Sequence, residues 1–93
     1  MNEHTEKELQ RGAEAEQLIA NPIFKEAMDG VENDIDKALL NVATTDTDLC
    51  LDLIRQLQQL QLIKAKIINF IQTGKMARAT VNESVSEEKE ITR

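Results

Sequence analysis

Leu49-Cys-Leu-Asp-Leu-Ile-Arg-Gln-Leu-Gln-Gln-Leu-Gln-Leu-Ile-Lys-Ala-Lys-Ile-Ile-Asn-Phe70 is the stretch that decides the fold. Leu49, Leu53, Leu60, Ile63, Ile67 and Phe70 recur at alternating steps of four and three, with Gln56 filling one slot of the series. That rhythm is the period of an amphipathic α-helix. A second series (Cys50, Ile54, Leu57, Ile68 and Ile71) lies beside the first, and Leu51 and Leu62 lie off both. A helix packed on one partner needs an apolar stripe about 100° wide. This one is apolar around half its circumference. Four or five Leu and Ile side chains beyond the needs of one partner represent about 8–12 kcal/mol of burial at about 1.5–3 kcal/mol each. That rivals the whole stability of a small domain. The surplus predicts self-association through this helix or a permanent partner protein, the alternative being that the first helix and the tail fold back over it; Leu53, Leu57, Leu60, Ile63, Ile67 and Phe70 are expected to carry the core and the association surface.

The punctuation on either side defines the other elements. Thr44-Thr-Asp-Thr-Asp48 is rich in small polar side chains that can accept from free helical N–H groups, so the long helix is predicted over 46–73. Gly74 is the expected terminator, with Lys75 beyond it at the negative end of the dipole. Asn21-Pro22 is a second break. The residue before proline is pushed out of the α region, asparagine is a good N-cap, and proline is tolerated in the first helical turn. A helix over 22–42 follows, with one stripe of Phe24, Ala27, Met28, Val31, Ile35, Ala38, Leu39 and Val42. The short connection to the long helix predicts that the two are antiparallel neighbours. Thr5 and Glu8 have capping-box spacing, so a first helix is predicted over 6–20. Its pattern, Leu9, Ala13, Leu18 and Ile19 around Gly12, is weak. Periodicity is lost after 77, and 78–93 is expected to be a flexible polar tail.

The expected fold class is therefore all-α: an antiparallel helical hairpin, a shorter N-terminal helix packed across it, and a single helical domain over 1–77. Composition agrees. The chain has 93 residues, three glycines and one proline, too few turn-formers for a β-rich domain. One cysteine, Cys50, excludes an internal disulfide and reads as a buried structural thiol. The N-terminus has no apolar run, so no signal peptide is expected, and no stretch reads as a membrane span. A soluble protein of the cytoplasm is the resulting expectation.

Chemistry-bearing patterns are scarce. His4 is the only histidine, and zinc sites need three or four ligands from types nearly missing here. Asp46-Thr-Asp48 opens like a calcium loop but lacks the glycine and terminal glutamate at the required spacing. No phosphate-binding glycine loop or nucleophile motif occurs, so no catalytic residue, metal or cofactor is expected. Gln56, Gln58, Gln59 and Gln61 suit a solvated helix face, although Gln56 within an apolar seam can set register. Seventeen acidic against eleven basic residues give a net charge of -6, which disfavours phosphate-driven binding.

Lys7-Glu-Leu-Gln-Arg-Gly12-Ala-Glu-Ala15, Leu18-Ile-Ala-Asn-Pro22-Ile-Phe24 and Phe70-Ile-Gln-Thr-Gly74-Lys75-Met-Ala77 together resemble small helical proteins from the virion-assembly and DNA-packaging regions of tailed bacteriophages. The resemblance covers about residues 6 to 77. It implies a non-enzymatic assembly protein in the host cytoplasm or associated with the virion. A small packaging-terminase subunit is one concrete member of that class; such subunits oligomerise into rings through a helical hairpin. This chain departs from them in lacking a basic helix-turn-helix. Two other readings follow from charge. An acidic inhibitor would present Glu26, Asp29, Glu32, Asp34 and Asp36 to a basic host protein as a nucleic-acid mimic. A DNA-binding packaging subunit would use Lys75 and Arg78.

Overall fold

The structure, a computed structural model, describes the backbone of residues 2–91 and the side chains of residues 2–83. The described residues form three helices, α1 (Glu3–Ala20), α2 (Pro22–Asn41) and α3 (Thr47–Ile91), with no strand among them. The all-α expectation holds, and each helix start has a local cause. α1 begins three residues before the predicted start. Asn2, not Thr5, caps it: its Oδ1 accepts from Thr5 N at 2.7 Å, and Glu3 and Glu6 sit in the first turn where the dipole favours negative charge. At Asn21 the backbone is extended, and the side chain accepts from both Ile23 N and Phe24 N at 2.9 and 3.1 Å, with Pro22 opening α2. Asp46 caps α3, accepting from Leu49 N at 3.2 Å.

Two compact units are distinguishable. The first comprises residues 19–66, where α2 and the proximal part of α3 form the antiparallel hairpin. Its core is thin. Ile35, Leu53 and Leu60 are buried, and Phe24, Met28, Leu39, Leu57 and Cys50 are half-buried around them. Lys64 Nζ donates to Glu32, and Gln61 Nε2 donates to the same carboxylate at 3.4 Å, which ties the two helices in register. The predicted α2 stripe divides. Phe24, Met28, Ile35, Leu39 and Val42 face inward, while Ala27, Val31 and Ala38 remain exposed.

The second unit joins residues 1–18 to 67–93. Here the expected helix end is corrected. α3 passes through Gly74 and continues to Ile91, and no glycine has a positive φ. Gly74 is a crossing point instead. Gly12 of α1 lies directly against it: a Cβ built on Gly12 would meet Gly74 Cα at 2.9 Å, and one on Gly74 would meet Gly12 Cα at the same distance. Among the described residues of this unit, Gly12, Ala15, Gly74 and Ala77 are buried. The four–three rhythm continues in phase through Gly74, Ala77 and Val81, so the seam had no reason to stop at the glycine. Small residues at successive turns let two helix backbones approach closely and contact through main-chain and methyl groups. Arg11 adds a cation–π contact, its Cζ 5.7 Å from the centre of the Phe70 ring. The expected tail, 78–93, is helical in backbone to Ile91; its side chains beyond 83 and residues 92 and 93 lie outside the described residues.

Candidate functional site

The residues proposed from the sequence for association have different environments. Leu53 and Leu60 are buried in the hairpin, Leu57, Ile67 and Phe70 are half-buried, and Ile63 is exposed. The four–three seam thus mainly serves the chain's own packing. Apolar surface left to solvent lies at Leu49 and Ile63 within that seam and at Leu51, Ile54, Leu62 and Ile68 beside it. With 3.6 residues per turn, these side chains fall on both flanks of α3 and on its outer face. The buried positions are therefore only a narrow line on a broadly apolar helix. Leu40 and Ile23 on α2 are also strongly exposed.

The charged candidates are dispersed. Glu32 is half-buried and already engaged by Lys64 and Gln61. The Lys64 hydrogen bond and positive charge hold the Glu32 carboxyl below the usual carboxylate range, against a small opposing effect of burial and with help from Gln61. Glu26, Asp29, Asp34 and Asp36 are exposed. The helical period groups Glu26, Asp29 and Asp36 on one arc and turns Asp34 away from it. Lys75 and Arg78 border a cleft of about 110 Å³ beside the glycine crossing, across from Glu16 and over Leu9, Ala13 and Ile71.

Other reactive side chains have local partners. Cys50 is a free, half-buried thiol with Sγ 3.8 Å from the Ala43 carbonyl oxygen. His4 Nε2 lies 2.8 Å from Glu8 Oε1, one turn away. Among the described residues no group of three or more His, Cys, Asp or Glu side chains could hold a metal ion, and no helix is long and apolar enough to cross a membrane. The sequence reading missed the pairing of Gly12-x-x-Ala15 with Gly74-x-x-Ala77. Its signal was present, since both motifs repeat small residues three apart.

No protein-family model matches the chain, and no curated protein or solved structure is significantly similar to it.

Proposed function

We propose that this chain is a non-enzymatic assembly protein that acts as a homo-oligomer, its associating surface supplied by the hairpin of α2 and α3. The observation that carries the reading is the imbalance of apolar side chains. Among the described residues, five hydrophobic side chains are buried, two of them alanines, whereas Leu18, Ile19, Ile23, Val31, Leu40, Leu49, Leu51, Ile54, Leu62, Ile63, Ile68 and Met76 are exposed. An isolated exposed leucine is ordinary, but a concentration on one hairpin is the mark of a surface meant to be covered. The sequence resemblance suggests the setting: virion assembly or genome packaging in a tailed phage.

The acidic-inhibitor reading has less support. It needs Glu26, Asp29, Glu32, Asp34 and Asp36 on one face, yet Glu32 is neutralised by Lys64 and Asp34 is turned away. Direct DNA contact through Lys75 and Arg78 would place two cations beside Glu16 on a chain of net charge -6. It gains strength only if many copies bring such pairs together.

Size-exclusion chromatography with multi-angle light scattering on the full chain tests the reading. The expected mass at tens of micromolar is a multiple of 10.5 kDa. A mass of one chain under those conditions overturns it.

A further inference from the structure

We infer that α1 is a detachable strap: it undocks and unfolds as one piece while α2 and α3 stay folded, and its release uncovers the seam of α3 through Phe70, Gly74, Ala77 and Val81. The device belongs to a single chain and does not rest on the self-association proposed above. Two observations carry it: how little apolar bulk holds α1 in place, and how little its neighbours need it.

The dock of α1 is built from small groups. Gly12 and Ala15 are buried, Leu9 is half-buried, and Leu18 is 40% exposed. Leu9 is thus the one large apolar side chain that α1 places well inside its unit. α2 brings far more to the hairpin. Ile35 is buried, Phe24, Met28, Leu39 and Val42 are half-buried, and Glu32 is bonded to Lys64 and Gln61 besides. Burial stabilises in proportion to the apolar area removed from water, and an alanine methyl offers a small fraction of what leucine or isoleucine does. The close approach of Gly12 and Gly74 adds dispersion between main-chain atoms. That attraction falls steeply with distance, so it is lost together along the crossing once the helices part.

Once undocked, α1 does not persist as a helix. Short isolated helices are marginal in water, and Gly12 interrupts this one near its middle. Its neighbours, by contrast, are complete without it. The extended backbone at Asn21 separates α1 from α2, and the Asn21 side chain itself accepts from Ile23 N and Phe24 N. The start of α2 therefore stays satisfied when α1 leaves. α3 is continuous from Thr47, so its distal part propagates from turns already formed and carries no nucleation cost. Release of the strap then presents a helical face on which Phe70, Ile71 and Val81, half-buried beneath it, flank the small residues Gly74 and Ala77. Elements that move in switching are drawn from segments that open at low cost, as this one does.

Hydrogen exchange on the full chain, followed by mass spectrometry of peptic fragments at one protein concentration, tests this on the wild type, Leu9→Ala and Leu39→Ala. Both substitutions shorten a half-buried leucine, one in α1 and one in α2. In the wild type, amides of 8–20 should exchange about tenfold or more faster than those of 27–41, the factor that about one buried aliphatic side chain supplies. Amides of 67–80 keep more protection than those of α1. Leu9→Ala should speed exchange across 8–20 by about fivefold or more and leave 27–41 within about twofold, and Leu39→Ala should do the reverse. Exchange in α1 no faster than in α2, either substitution moving both helices together, or 67–80 opening as fast as α1 overturns the strap. If Leu9→Ala releases α1 outright, far-UV circular dichroism decides: a partial loss of helix with cooperative unfolding of the remainder supports the strap, and complete loss of the helical signal overturns it.

Discussion

Gly12→Ala should destabilise the protein although alanine is the better helix former. The methyl group would sit 2.9 Å from Gly74 Cα and 3.1 Å from the Phe70 carbonyl oxygen, both main-chain atoms that cannot swing aside. Relaxing to ordinary contact near 3.4 Å requires the two helices to part by about 0.5 Å, enough to forfeit about a quarter of the dispersion well for each neighbouring pair. Ala15 and Ala77, the adjacent buried residues, lose their contacts together. Overpacking of this kind costs about 1–3 kcal/mol, against a propensity gain of about 1 kcal/mol. A net loss of up to about 2 kcal/mol is expected, which lowers Tm by up to about 15 °C in a chain of this size. Gly30→Ala is the matched comparison. It makes the same chemical change in helix α2, where a Cβ meets nothing within 4 Å. It should raise stability by about 0.5–1 kcal/mol. Thermal unfolding followed by far-UV circular dichroism, at one protein concentration for all variants, reads both. Joining Gly12→Ala to Gly74→Ala should cost less than the two changes separately, because the second methyl enters a gap already opened. A Tm that rises for Gly12→Ala as it does for Gly30→Ala would refute the close crossing of α1 and α3.

Two further outcomes follow from local bonds. Asn21→Ala removes the acceptor for Ile23 N and Phe24 N and should cost about 1 kcal/mol in urea denaturation, with Asn21→Asp retaining most of the stability. Glu32 contributes to stability through a carboxyl whose folded-state pKa is depressed, chiefly by the Lys64 hydrogen bond and charge. That contribution is present above the unfolded carboxylate pKa and is lost as pH falls through the lower folded value. Stability measured from pH 7 down through the carboxylate range should therefore fall less steeply in Glu32→Gln than in the wild type. Identical slopes would remove Lys64 as the cause.

The helical class, the break at Asn21-Pro22, the polar capping segment 44–48 and the antiparallel hairpin were legible in the sequence because each rests on local chemistry. Caps, proline geometry and the three–four spacing of side chains act within one or two turns. The order of the chain alone then places α2 beside α3. Tertiary structure decided the rest. Gly74 read as a helix end because glycine is the commonest terminator, yet its negative φ and the continuing seam make it the place where α1 comes closest. No local rule distinguishes those roles, since the deciding neighbour, Gly12, is 62 positions away. The single apolar stripe of α2 likewise concealed two ranks. Only the bonds from Lys64 and Gln61 to Glu32 reveal which rank lies beneath the ion pair and which, with Val31, is left open. Periodicity specifies that a helix has an apolar face, but the neighbour that covers it is selected by packing between distant segments.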